Sequence, residues 1–198
     1  MTRIAVLVSG GGTNLQALID ACKGEGLGGG EISLVVSSVS GAAALERAEK
    51  EGIKTMTIER KKYADISAFD NALAGALSEH KIELVVLGGF LCVLGHQVLK
   101  VFENRIINVH PSLIPSFCGK GFYGLRVHKA ALEYGVKVTG ATVHFVNNVI
   151  DGGKIILQKA VDVLPDDTPE TLQQRVMREA EWVLLPKAVA MFCAKKIQ

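Results

Sequence analysis

Several things that would point to a ready function class are missing from this sequence. The four cysteines, Cys22, Cys92, Cys118 and Cys193, stand far apart with no Cys-x-x-Cys pair. That spacing argues against a zinc site or a disulfide scaffold, and reduced thiols in a cytoplasmic protein are expected. No serine sits in a Gly-x-Ser-x-Gly elbow, and no cysteine can be tied to a histidine from spacing, so covalent catalysis is poorly supported. No basic-then-apolar leader precedes the first strand and no apolar run reaches membrane-spanning length, so an unexported protein with no membrane partner is expected. Charge of one sign is also scarce: a formal net charge of +2 is too mild for a nucleic-acid footprint, and small anions are the expected charged partners. Internal repeats, low-complexity segments and Pro/Ser linkers are absent. With 198 residues, 48% of them hydrophobic, the chain suits one compact domain over 1–198.

What is present centres on Arg105 to Pro115, RIINVHPSLIP. Ile106, Ile107 and Val109 suit a buried strand, which makes the alternating Asn108 and His110 unusual. Residues i and i+2 of a strand share a face, so the amide and the imidazole look into one space. Pro111 and Pro115 stiffen the exit, and a stiff strand end is well suited to holding reacting groups. A second feature opens the chain. The apolar strand RIAVLV (Arg3–Val8) runs into SGGGTNLQALIDAC, a glycine turn opening a helix. Ser9 to Gly12 leave the first helical N–H groups open to an anion, most often phosphate, while Thr13 and Asn14 add hydrogen bonds or cap the helix.

Strand two (Ile32–Ser37) ends in Ser37-Ser38-Val39-Ser40 without the acidic residue that an NAD-type ribose site requires. Helices over about 42–51 and 65–80 and strands over 54–58 and 82–87 follow, with the charged run Glu59 to Lys62 read as a solvated loop. Gly88 to Gly95, GGFLCVLG, is an apolar loop where a polar one is normal, and it suits the wall of a slot for a flat ligand. A helix over about 96–102 leads to the central strand, SFCGKGFYG reads as a flexible excursion, and Leu125–Tyr134 reads as a helix. Strands over 137–146 and 154–163 form a hairpin whose turn, NNVIDGG, carries Asp151. A final helix opens at Thr168 and Glu170 with apolar residues at Leu172, Val176, Trp182, Leu185, Val189 and Phe192.

These elements predict an α/β fold: a Rossmann-like open twisted sheet, parallel in its N-terminal half, with antiparallel additions in the C-terminal half and helices on both faces. The glycine loop, the apolar loop and the Asn-x-His end then share one sheet edge, where a phosphate cradle and an apolar slot flank an amide, an imidazole and a carboxylate. Asn and protonated His donate to a developing oxyanion, which suits acyl transfer by direct attack of a substrate amine.

On the stretches VSGGGTNLQALIDAC, VVLGGFLCVLG, IINVHPSLIPSFCGKGFYG, TGATVHFVNNVIDGGKIILQ and ETLQQRVMREAEWVLLP the chain resembles the folate-dependent formyltransferases, and among them the phosphoribosylglycinamide formyltransferases. The resemblance implies formyl transfer from 10-formyltetrahydrofolate to glycinamide ribonucleotide, with no metal. It makes Asn108, His110 and Asp151 the catalytic set, and Gly12, Thr13 and Asn14 the phosphate loop. Leu91, Cys92, Val93, Leu94, Asn108, Val146, Asn147, Asn148, Val149, Ile150 and Asp151 match the folate site. Glu181 falls where relatives hold the ribose hydroxyls, with Glu179 a competitor, although either is more often a surface charge. It further implies a monomer or homodimer, with about 1–100 as a phosphate-binding half and about 101–198 as a catalytic and folate-binding half. Ile66 stands where many relatives carry an arginine, some have a histidine at Arg126, and the Cys118 to Tyr123 insertion occurs in only part of the family. Rival readings are a formyltetrahydrofolate hydrolase or methionyl-tRNA formyltransferase, whose usual additional domain does not fit in this length, and a non-catalytic nucleotide-binding sensor in which His110 is structural.

Overall fold

The computed structural model describes residues 1–197. Seven strands form one sheet: β1 (Thr2–Val8), β2 (Gly30–Ser37), β3 (Thr55–Thr57), β4 (Leu84–Leu87), β5 (Ile106–His110), β6 (Val138–Phe145) and β7 (Ile155–Asp162), in the order β3-β2-β1-β4-β5-β6-β7. The first five run parallel, and β6 and β7 add antiparallel. This is the expected open α/β sheet. Its order reverses direction at β1 and β4, which opens a crevice beyond their C-terminal ends.

The helices are α1 (Thr13–Lys23), α2 (Ala43–Lys50), α3 (Ile66–Glu79), α4 (His96–Val101), α5 (Leu125–Tyr134), α6 (Pro169–Val176) and α7 (Trp182–Cys193). Period-two alternation divides each strand between two cores. Ile4, Val6 and Val8 of β1 join Leu15 and Leu18 of α1, Leu172 of α6 and Leu185 of α7. Ala5 and Leu7 join Phe69, Leu73 and Leu77 of α3 and Val98 of α4. Among the described residues, no helix is long and apolar enough to cross a membrane.

Two local features differ from the sequence reading. The run Glu59 to Lys62 is a 3-10 turn over Arg60–Lys62, and Glu59 is buried at 4% exposure between Lys61 and Lys62. Hydrogen bonds from Lys62 and Lys61 hold its carboxyl below the usual range. The final helix is interrupted by a π turn, Met177–Glu181, between α6 and α7. Its cause is legible in the packing. Leu172, Val176, Ala180, Leu184 and Ala188 are all buried, a repeat of four. An α-helix drifts by ~40° over each such step, and the wider π turn brings the apolar face back to the sheet.

Candidate functional site

A cavity of about 630 Å³ lies across the crevice, bordered by residues of β5, the loops after β4, β5 and β6, the start of α1, and the π turn. At its centre is β5. Ile107 and Val109 enter the core beneath α1 and α7, so Asn108 and His110 face the other side. Antiparallel pairing puts His144 opposite Asn108 and Thr142 opposite His110. His144 Nδ1 lies 2.8 Å from the Phe145 carbonyl oxygen, which only accepts, so Nδ1 carries the hydrogen. Burial pushes the His144 pKa down. The uncharged Nε2 therefore accepts from Asn108 Nδ2, 3.2 Å away, and this fixes which end of the Asn108 amide faces His144.

Because β6 runs antiparallel, its exit begins beside Ile106, where Val146 N donates to the Ile106 carbonyl. The turn over 146–154 doubles back from there. Gly153 has no space for a side chain, because a Cβ would overlap the Phe145 carbonyl oxygen. Asp151, held at φ 55°, reaches both histidines: Oδ2 is 3.5 Å from His110 Nδ1 and Oδ1 is 3.8 Å from His144 Nε2. The segment from Phe117 touches the same pair. His110 Nε2 donates to the Phe117 carbonyl at 2.9 Å, and Gly119 N donates to Asp151 Oδ2 at 2.9 Å. Phe117 stacks edge-on with Phe122 and Tyr134, so what reads as a flexible excursion is tied to the centre of the site. Cys118 beside it is an inert thiol, its pKa raised by burial and by Asp151.

At the end beside α1, Gly12 adopts φ 72° as the N-cap of the helix and no side chain caps it, so Thr13 is not a capping residue. A Cβ on Gly12 would lie 2.6 Å from that of Ala44. Arg47 ties α2 to this turn by donating from Nε to the Gly11 carbonyl at 2.8 Å. Asn14 borders the cavity, whereas Gly12 and Thr13 are not part of its lining. Asn14 Nδ2 donates to Glu181 Oε2 at 2.9 Å, and the Asn14 oxygen is buried without a partner. Glu181, 7% exposed, is the glutamate of the π turn that borders the cavity, while Glu179 is exposed. It is no surface charge, and burial raises its pKa against the opposing Asn14 hydrogen bond.

At the other end, Leu91 to Leu94 and Val146 to Asp151 all border the cavity. Leu91, Val93, Val149 and Ile150 remain exposed there, an apolar rim that solvent alone does not favour. The loop after β4 is pinned at both ends. Ser9 Oγ, hydrogen-bonded to Ser38 Oγ, accepts from Leu91 N at 2.9 Å. The buried Asp70 carboxylate accepts from Gly95 N, Gln97 N and Val98 N.

Sequence reasoning gave no role to His144, Asp70 or His128. His144 shares its strand face with Thr142, and that alternation is the signal that it looks toward Asn108. Asp70 lies on the buried face of α3 with Phe69, Leu73 and Leu77, an unusual place for an acid. His128 sits with Val127 and Ala131 on the buried face of α5 and borders the cavity. Arg126 stacks on Tyr123.

Comparison with known proteins agrees with this architecture. The chain is 44% identical, over 99% of its length, to the chicken (Gallus gallus) trifunctional purine biosynthetic protein adenosine-3, and covers 19% of that protein. It thus spans about a fifth of the length of that curated relative. It is 36% identical over 99% of its length to the chloroplastic phosphoribosylglycinamide formyltransferase of Arabidopsis thaliana, covering 67% of it. The crystal structure of glycinamide ribonucleotide transformylase 1 from Symbiobacterium toebii superposes with a TM-score of 0.93 at 43% identity, covering all of this chain and 90% of that one. With the family profile described as formyl transferase matching residues 2–189, this chain belongs to the formyl transferase family.

Proposed function

We propose that this chain, working as a single cytoplasmic domain, transfers a formyl group from 10-formyltetrahydrofolate to the amino group of glycinamide ribonucleotide in de novo purine biosynthesis. The observation that carries the reading is the convergence of Asn108, His110 and Asp151 on one cavity with the Asn14–Glu181 pair at one end and an apolar rim at the other. The names of the Arabidopsis relative and the Symbiobacterium structure support the substrate.

In this reading the open N-terminus of α1 with Gly12, Thr13 and Asn14 holds the phosphate, and Glu181 accepts from the ribose hydroxyls. Leu91 to Leu94 and Val146 to Asp151 hold the flat pterin, which the exposed apolar rim suits. The substrate amine attacks the formyl carbon directly. As the new carbon–nitrogen bond forms, His110 and the Asn108 amide donate to the oxygen on which negative charge gathers. Asp151, its Oδ2 3.5 Å from Nδ1, keeps the imidazole oriented. A proton passes from the attacking amine, through water held by Asp151, to the folate nitrogen as its bond to carbon breaks.

The test is to mix the purified chain with glycinamide ribonucleotide and 10-formyltetrahydrofolate and follow the deformylated folate by absorbance, with a parallel reaction lacking the ribonucleotide. Ribonucleotide-dependent release is expected. Equal release without it would make the chain a hydrolase, and no release would leave the sensor reading. His110→Ala is expected to lower kcat by about 10²–10⁴-fold while ribonucleotide binding stays within a few-fold.

A further inference from the structure

His128 has no part in the reaction just described, yet its surroundings are unusual. It lies on the buried face of α5, fully buried at 0% exposure, and it borders the cavity that Gln173, Met177 and Glu181 also line. Neither Nδ1 nor Nε2 has a hydrogen-bond partner. Buried polar groups in native proteins are nearly always paired, and an orphan calls for an explanation. A ring with both nitrogens orphaned is a stronger case, because one rotation or one tautomer change does not relieve it. The ring is shielded from bulk water but borders a cavity, so a group seated in that cavity is the partner within reach.

We propose that His128 is a substrate-contacting specificity residue, whose imidazole hydrogen-bonds the secondary amide that joins the ribose to the glycyl amine of the ribonucleotide. The inference rests on the proposed function and extends it to a contact that the catalytic set does not make. His128 is near enough to His110 to feel its charge, and it shares the cavity wall with Glu181. It therefore shares one cavity with the His110 end and with Glu181, and in glycinamide ribonucleotide the link between the reacting amine and the sugar is an amide. The chemistry matches one to one. Burial, and then the neighbouring His110, pushes the His128 pKa down to about 4, so at neutral pH the ring offers one N–H donor and one lone pair. A secondary amide offers one carbonyl acceptor and one N–H. A charged imidazole would have two donors and nothing for the amide N–H.

The experiment uses the whole chain, with binding followed by calorimetry and turnover by absorbance. His128→Leu fills similar space and removes both polar atoms. The variant is expected to bind glycinamide ribonucleotide about ten-fold or more weakly, with KM for the ribonucleotide rising in step and KM for the formyl donor within two-fold of wild type. Ribose 5-phosphate, which lacks the amide, is expected to bind wild type and variant equally. His128→Gln, which again presents a donor and an acceptor, is expected to recover part of the loss, and the melting temperature of His128→Leu is expected to hold or rise. Unchanged ribonucleotide affinity in the variant overturns the proposal, and so does an equal loss for ribose 5-phosphate. If His128→Leu does not fold, His128→Met carries the same comparison. The two readings fail separately: a wild-type chain that turns over the ribonucleotide but gives a His128→Leu ratio of one sinks only this proposal, whereas a wild-type chain that does not bind the ribonucleotide sinks both.

Discussion

Replacing Glu181 by Gln should move stability and substrate affinity in opposite directions. The Glu181 carboxylate is nearly inaccessible, and among the described residues its hydrogen bond comes from Asn14 alone. Taking a charge out of water with so little compensation disfavours the charged form, in agreement with its raised pKa. A carboxyl whose folded-state pKa lies above its unfolded value lowers stability as pH rises through that interval. Below the unfolded value both states are protonated and the penalty vanishes. Glu181→Gln keeps an oxygen for Asn14 and removes the titration. The variant should therefore melt with wild type near pH 4 and above it at pH 7. Binding should go the other way. A hydroxyl donating to a carboxylate is worth about 1.5–3 kcal/mol against about 0.5–1.5 for a neutral acceptor. Two ribose hydroxyls then lose about 2–3 kcal/mol, or roughly 30- to 150-fold in ribonucleotide KM. Scanning calorimetry at pH 4 and pH 7, with steady-state kinetics at pH 7, reads both arms. A variant that melts lower than wild type at pH 7, or whose ribonucleotide KM stays within three-fold, would refute the reasoning.

Asp151→Asn should lower kcat by roughly 10²-fold or more with ribonucleotide KM changed less than three-fold; near-normal kcat in stopped-flow or steady-state assays would remove Asp151 from the chemistry. Gly153→Ala forces a Cβ into the Phe145 carbonyl, so the turn must shift. A loss of about 2–4 kcal/mol in urea unfolding should accompany a fall in kcat as Asp151 moves from His110, and intact activity would show that the turn is not what positions the acid. Asp167 is held to a pKa of about 2 by its Arg175 hydrogen bonds, which at 2.6 Å each engage both guanidinium ends. A depressed carboxylate adds stability above its unfolded value that disappears as pH falls through the folded one. Asp167→Asn should thus cost about 1 kcal/mol at pH 7, limited by solvent screening, with the difference shrinking as pH falls toward 2 and below; a constant difference across that range in thermal melts would contradict it.

How much of this was legible depended on the range over which each residue acts. The sheet could be read because continuous apolar runs such as Ala5 to Val8 and Leu84 to Leu87 suit strands buried on both faces. Helix α5 could be read to the residue, as Gly124 and Gly135 bracket it. Asn108 and His110 stood out because two polar residues at a period of two contradict a buried strand. The π turn is legible only once burial is known, through the four-residue repeat of Leu172, Val176, Ala180, Leu184 and Ala188. Glu181 drew attention only through resemblance, since helical spacing alone suits a surface charge; its contact with Asn14 joins residues 167 positions apart. The segment from Phe117 to Gly119 carried three glycines nearby and no apolar rhythm. Its order comes from His110 and from Asp151, 32 positions away, and no local pattern records such partners.

In the proposed reaction, the peptide oxygen of Phe117, which already holds the His110 Nε2 hydrogen, would give the imidazole edge an opponent for every substrate. An incoming carbonyl can claim the His110 Nε2 hydrogen only by evicting a backbone oxygen, which is already a good neutral acceptor. An uncharged formyl oxygen gains little from that swap. Once the oxygen bears charge its hydrogen bond is roughly twice as strong, and the exchange turns downhill. A competitor built into the polypeptide in this way biases the imidazole toward the fleeting anion over the resting donor, which is the discrimination that raises turnover without tightening the ground state.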